Sequence, residues 1–549
     1  MKFLLMFRQE LNEYFIKINA MITKPAHTFT SFFLAGSFLF LLICHTSFSQ
    51  NTIQNGIVFE DINRNSRLDN NEKGLANILV SSLDTIVQSN LSGWFSIPVK
   101  ENDIISVIKP AEYEFELKEN NVPDFYYLRY TKGSPEYFKY KGIDANRAVP
   151  DTLFFPLHKT AKKKNYIVNL IGDIQTPTKK HIEYFRKGVL PDLLKTNADF
   201  HACLGDIADN DLSLYPEIES SLSTLQGPVY MVAGNHDVNY LSVDSLTQVE
   251  TFRKHFGPDY YSFNYGSTHF IVLNTVDYDG WNSSENCQGG YTGGIHTSQA
   301  KWLKQDLSFV SKNSRVVIMA HIPLFPGYFQ PSRLLSAYDL LENQNNILGI
   351  YGHLHTCANW EYTKAIAQWP YSGKFRGLVA GATSGSWYTS PFNSDSIPEA
   401  VCSDGSPSGF YVLDFSDSDY KRSFIPAGKS KDFQLRVSVP DVKVSFDSLP
   451  NTEIVVNVFD GEEKTLVLCE FDNYPADTMK YFYGQDPYMV RNNFKRLTYD
   501  GWNPPLTTST HLWKSGIPAD IKRGTHTLKI TAFLSNGEKH TTYKVFEIY

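Results

Sequence analysis

Asp173 with Gln175, Gly205-Asp206, Gly234-Asn235-His236-Asp237, His321, and Gly352-His353-Leu354-His355 are the residues of this chain whose types and spacing could do chemistry. Each group follows an apolar run of strand length: Tyr166 to Ile171, Phe200 to Leu204, Val229 to Ala233, Val316 to Ala320, and Ile347 to Tyr351. Such runs read as buried strands, and open α/β sheets keep their ligand crevice at the carboxyl ends of strands. Five strand ends therefore present carboxylates, amides and imidazoles, a mixture of hard oxygens and neutral imidazoles that suits Mn, Fe or Zn. Taken alone, each piece would read as a turn or a satisfied polar residue. Five in chain order, each after a strand-like run, are hard to explain as turns.

The combination resembles the calcineurin-like metallophosphoesterases, whose pattern is Asp-x-His, Gly-Asp, Gly-Asn-His-Asp/Glu, a lone His and Gly-His-x-His, over roughly Tyr166 to Ile425. The resemblance implies an α/β fold of two packed sheets flanked by helices, with a metal site at one sheet edge. It also implies two divalent ions, which together hold phosphoryl oxygens and generate a hydroxide near neutral pH for in-line attack. By motif, Asp206 is the bridge, Asp173 and His355 bind the first ion, and Asn235, His321 and His353 bind the second. His236 would contact the phosphate or protonate the leaving oxygen, and Asp237 would orient His236. Gln175 departs from the pattern, since the family usually has His there; a neutral amide is the weaker ligand, which bears on the first ion. Asp209 and Asn210 are expected to shape their loop, while His181, His201, His255, His269 and His296 match no ligand position and read as structural. Segments 291–297 and 381–388 look like family loops that border the substrate, or else like ordinary Gly-rich turns.

Positioning these groups falls to a region of alternating strands and amphipathic helices, the helices expected at Thr178 to Lys195, Leu246 to His255 and Ser298 to Val310. That alternation predicts a layered α/β domain over 159–428, opened by the basic connector Lys159 to Lys164. Residues 50–158 alternate short β-runs with turn residues, as a β-sandwich does. Within them, Asp61, Asn63, Asn65, Asp69 and Glu72 fall at positions 1, 3, 5, 9 and 12 of an EF-hand-type calcium loop, with Ser66 where Gly is usual. The alternative is a solvated Asp/Asn-rich turn. Residues 429–549 read as a second all-β domain, whose Tyr481, Phe482, Tyr483, Tyr488, Trp502 and Trp513 are core and loop packing or a carbohydrate surface.

Residues 1–49 carry the apolar run Phe32 to Ile43 and then Ser47-Phe48-Ser49, the pattern of a signal peptide cleaved before Gln50. Its removal takes Lys2, Arg8, Lys17 and Lys24 against Glu10 and Glu13, so the formal charge moves from −7 to −9. The mature chain is then expected in the periplasm, in the cell envelope or outside the cell, without a transmembrane domain. No dense basic stripe suggests a nucleic-acid partner. Cys203, Cys287, Cys357, Cys402 and Cys469 remain, an odd count; Cys287 with Cys402 is the pairing expected if a disulfide forms. The resulting expectation is a secreted, bimetallic phosphoesterase acting on small-molecule, lipid or sugar phosphate mono- or diesters. Its rival is a surface adhesion or glycan-binding protein with an inactive phosphatase-like middle.

Overall fold

The apolar runs of the middle region pair into two sheets. In the computed structural model, which describes residues 52–439, 442–492 and 505–549, Val229–Met231, Phe200–Cys203 and Tyr166–Ile171 run parallel, and Gly409–Phe415 and Tyr420–Pro426 extend that sheet antiparallel. In the second sheet Thr268–Leu273, Arg315–Ala320, Asn346–Tyr351 and Lys374–Ala380 run parallel, with antiparallel Tyr261–Tyr265 and Cys357–Glu361 at its edges. The expected export segment and Trp502 lie outside the described residues.

The central strands are buried on both faces, as parallel strands covered on both sides must be. Alternation divides that burial. Leu170, Phe200, Val317, Met319, Leu348 and Ile350 share one core with Tyr230 and Phe263, whose rings stack at 3.8 Å. Ile171, Cys203, Val316, Ile318 and Ile347 instead share a core with Ile182, Phe185, Trp302 and Leu303 from the covering helices. The first of these helices forms as Lys179–Gly188 and then Leu190–Leu193 rather than one run to Lys195, because Pro191 starts a new helix. The expected helix at Leu246 to His255 forms as Glu250–Phe256, and the one at Ser298 to Val310 as Thr297–Ser308.

This core is an α/β sandwich flanked by helices, and all-β sheets precede and follow it. Before it, Thr52–Glu60 pairs with Lys73–Gly74, Trp94–Val99 and Thr152–Lys159, beside a sheet of Ile86–Gln88, Leu79–Ser81, Asp103–Ile108 and Tyr126–Arg129. After it, Ile454, Val456, Trp513, Leu528, Ile530 and Phe546 close a core between two further sheets. Trp513 is buried there, as packing requires, and Tyr483 is exposed. Gln50–Tyr549 clusters as one unit. Among the described residues no helix is long and apolar enough to cross a membrane.

The disulfide expectation is corrected. All five described cysteines are free: Cys402 is fully enclosed, its thiol near the Ala382 carbonyl, while Cys287 sits exposed on a small hairpin.

Candidate metal centre

Parallel register brings the motifs together. Ile171 lies opposite Cys203, Cys203 opposite Met231, and Ala320 opposite Tyr351, so the segments that follow leave their sheets at one end. Three potential ligand atoms then converge on one ring nitrogen. His321 Nε2 lies 3.2 Å from Asp206 Oδ2, 2.9 Å from Asn235 Oδ1 and 3.2 Å from His353 Nδ1. Because His321 Nδ1 donates to the Leu204 carbonyl at 2.8 Å, Nε2 is left to face the cluster. Nearby, Asp173 Oδ1 stands 3.7 Å from His355 Nε2 and accepts the His353 amide at 3.0 Å. His355 Nδ1 is held by the Gly385 carbonyl, which again turns Nε2 inward.

Backbone conformation shows what this convergence demands. Asp173, Gln175, Asp206, His353 and His355 all have positive φ, which non-glycine residues adopt sparingly and which clusters at functional sites. The motif glycines are set by close approach. A Cβ on Gly205 would sit 2.5 Å from His321 Nδ1, on Gly234 2.2 Å from Asp206 Oδ1, and on Gly352 2.8 Å from Asp173 Oδ2.

Burial and the mutual charges of the cluster set its electrostatics. Burial pushes the Asp173 carboxyl up to about 8. Burial acts the same way on Asp206, yet the charges of His321 and His236 outweigh it and hold that carboxyl below its usual range. His321 is raised to about 9, its burial overcome by Asp206 and Asp173. Burial, with the charge of His321 beside it, lowers His353 to about 3, and burial lowers His355 to about 4, so both rings stay neutral and keep a lone pair. Buried carboxylates are costly unless paired. Asp206, His321 and His353 have donor atoms within 4.8 Å of one another, and Gln175 adds a buried Oε1 with no hydrogen-bond partner. Carboxylate, imidazole and amide acceptors with too few donors fit a divalent ion.

His236 stands at the rim. His236 keeps 24% of its side chain exposed, and its amide donates to Asp206 Oδ1 at 2.8 Å. The role expected of Asp237 is corrected. Its oxygens accept from the Gly234, Ile207 and Ala208 amides and from the Tyr215 hydroxyl, which spends them on the loop. The carboxylate beside His236 is that of Asp209, whose Oδ1 lies 3.1 Å from Nδ1 and also accepts Gln175 Nε2 at 3.1 Å. Asp209 thus does more than shape a loop; the bridge between Thr176 and Ala208 brings it there.

Both expected loops reach the centre. Tyr291 packs edge-on against His353 at 6.0 Å, and Trp387 stacks on His355 at 4.0 Å. Two of the histidines expected to be structural bond protein groups away from the cluster. His201 is buried and bonds Asn169 and the Gln226 carbonyl, and His269 bonds Asp306. In the first all-β region, Asp61 accepts the Asn65 and Ser66 amides and Glu72 accepts the Ile62 and Asp69 amides. Asn63 and Asn65 both donate to Asp69 Oδ2.

Three family models match the chain: the N terminal of calcineurin-like phosphoesterase over 62–142, calcineurin-like phosphoesterase over 167–357, and the C terminal of calcineurin-like phosphoesterase over 378–540. The serine/threonine-protein phosphatase CPPED1 of Homo sapiens is 31% identical over 100 residues, which cover 18% of this chain and 29% of that protein. The manganese-dependent ADP-ribose/CDP-alcohol diphosphatase of Arabidopsis thaliana is 25% identical over 200 residues, 29% of this chain and 63% of that one. Each match spans less than two thirds of the relative's length. Among solved structures, the purple acid phosphatase PPD1 of yellow lupin aligns over 65% of this chain and 69% of its own at 13% identity, with a TM-score of 0.35, too loose a likeness to support an argument.

Proposed function

Because the chain belongs to the calcineurin-like phosphoesterase family, we propose that it is a hydrolase of phosphate mono- or diesters with two divalent ions, Mn, Fe or Zn, at the central cluster. Asp206 lies between the two half-sites. Asp173, His355 and the Gln175 oxygen hold one ion, and Asn235, His321 and His353 hold the other. Such ions, when bound, neutralise phosphoryl oxygens and lower the pKa of a coordinated water. The chain supplies the rest. Neutral His353 and His355 keep their lone pairs at pH 7, and the motif glycines let the loops close on the ligands. His236, at the rim and steadied by Asp209, donates a proton to the leaving oxygen. The observation that carries this reading is the convergence of Asp206, Asn235 and His353 on His321 Nε2.

Small-molecule phosphate esters are the proposed substrates, with lipid and sugar phosphates as the finer choice. The named diphosphatase relative adds nucleoside diphosphate esters to the panel worth assaying. Export, with the mature chain beginning near Gln50, and calcium at Asp61, Asn63, Asn65, Asp69 and Glu72 belong to the same proposal. Turnover of aryl phosphate mono- and diesters by the full chain, with Mn, Fe or Zn added in turn, tests it. Metal-dependent release of aryl alcohol is expected, and its absence across the panel would favour the adhesion alternative.

A further inference from the structure

We propose that the C-terminal all-β region completes the metal centre, through hydrogen bonds that run from His511 and Asn457 to His355. The inference rests on the reading of His355 as a metal ligand, and it makes His511 and Asn457 positioning residues.

His511, fully buried on strand Ser509–Gly516, meets an oxygen with each ring nitrogen: Nδ1 is 2.7 Å from Asn457 Oδ1 and Nε2 is 2.9 Å from Asp404 Oδ2. Asn457, on the paired strand Glu453–Val458, donates to the Asp404 carbonyl at 3.0 Å and to Asp486 Oδ2 at 2.8 Å. Asp404 is thereby clasped from the C-terminal side. It faces the metal centre on the other, since Oδ2 also accepts the amide of Cys357, two residues beyond His355, at 2.7 Å. Its neighbour Ser403 donates to the His355 carbonyl from both its amide and its hydroxyl, each at 3.1 Å. Thr507 Oγ1 donates in turn to Ser403 Oγ at 3.0 Å.

His355 needs such support. Its backbone is left-handed, φ +51, which L-residues hold only when their surroundings over-determine it. Its ring is fixed by the Gly385 carbonyl and by Trp387, and the relay fixes its peptide. Asp404, Asn457, Asp486 and His511 are all at most 1% exposed. An apolar contact would join two regions as well as a buried polar network does, whereas a fully bonded network fixes one geometry.

The test is Mn2+ binding by equilibrium dialysis with the full chain, alongside its melting curve. Outer partners of metal ligands typically contribute about 10–100-fold in metal affinity. His511→Ala and Asn457→Ala should weaken Mn2+ binding within that range and raise by the same factor the Mn2+ needed for half-maximal turnover. KM for an aryl phosphate at saturating Mn2+ should stay unchanged, and His511→Gln, which keeps a donor toward Asp404, should recover part of the loss. A purely structural role would lower the melting temperature and leave the isotherm in place. Should His511→Ala not fold, Thr507→Val removes only the hydroxyl on Ser403 and carries the same expectation. Folded variants that bind Mn2+ as wild type does, while His355→Ala does not, would overturn the relay and spare the site. Wild-type chain that binds none of Mn2+, Fe2+ and Zn2+ would overturn both.

Discussion

The central cluster and the Asp61–Glu72 loop are both sets of oxygen donors at motif spacing, and they solve opposite problems. In the loop every carboxylate is already served: backbone amides fill Asp61 and Glu72, and two Asn side chains fill Asp69. Asn63 and Asn65 are open to water, and Asp69 is half-buried. In the cluster Asp173 and Asp206 accept one backbone amide each, from His353 and His236, and the oxygens of Asp206 and Asn235 crowd the His321 ring, with Asp173, Asp206 and His321 no more than 1% exposed. Desolvated charge with few donors is expensive, whereas the loop bonds each of its carboxylates to its own donors. Motif spacing points to both, but the excess of acceptors over donors separates a cluster that calls for a cation from a loop whose carboxylates are already bonded.

The largest effect should come from the atoms between the half-sites. Asp206→Ala should strip metal and reduce turnover to that of the chelated wild type, as read by elemental analysis and aryl phosphate assay; retained metal would end its bridging role. Next, His236→Ala should lower kcat by about 10²–10⁴-fold with metal content unchanged. Asp209→Asn should give part of that loss, and Asp237→Asn should act on stability instead, because its oxygens serve the loop.

A smaller change is expected at Gln175. Replacing it with His should lower the metal concentration for half-maximal activity by about tenfold, the low end of what a well-placed partner contributes. Coincident titrations of wild type, Gln175→His and Gln175→Ala would place the residue outside the coordination sphere. Acidity should discriminate as well. Burial depresses His201 and His355 to about 4 and His353 to about 3, below the unfolded value near 6.5. The unfolded chain therefore takes up protons first. The contribution of these three histidines to the stability of the metal-free protein should be full above pH 6.5 and be lost as pH drops toward about 4, with His201→Gln flattening the upper part of that limb. Asp173 and His321, held at about 8 and about 9 in the folded chain, should instead make stability fall again as pH rises through those values.

The smallest effect belongs to the loop. Calcium at a hundredfold excess over its Kd stabilises by about 2.7 kcal/mol, a rise of a few degrees in Tm. Asp61→Ala with Glu72→Ala should abolish it without touching turnover; an unchanged calcium dependence would reduce the loop to a turn.

Legibility followed sequence distance. The five motifs are local, and parallel strands covered on both faces announce themselves as apolar runs, so Asp173, Asp206, Asn235, His321, His353 and His355 meet where their strand ends suggest. Gly205, Gly234 and Gly352 are visible in three of the motifs, but the close approach that requires each of them is not. Asp209 was misjudged because its approach to His236 depends on a bridge between two loops. Asp237, adjacent in sequence, instead binds the Gly234 amide of its own turn and the Ile207 and Ala208 amides and Tyr215 hydroxyl of a distant segment. His511 and Asp404 are 107 positions apart, and no local pattern signals a contact of that range. The Cys287 and Cys402 pairing failed for a related reason, as loop composition says nothing of depth.

The central claim, that the acceptor-rich cluster holds metal and uses it on phosphate esters, is tested most directly by measuring bound Mn, Fe and Zn and aryl phosphate turnover on the same samples of wild type and Asp206→Asn. The account predicts up to two equivalents of metal with turnover in wild type, and loss of both in the variant. Turnover that survives complete removal of metal, or metal held in full with no turnover on any ester, would contradict it.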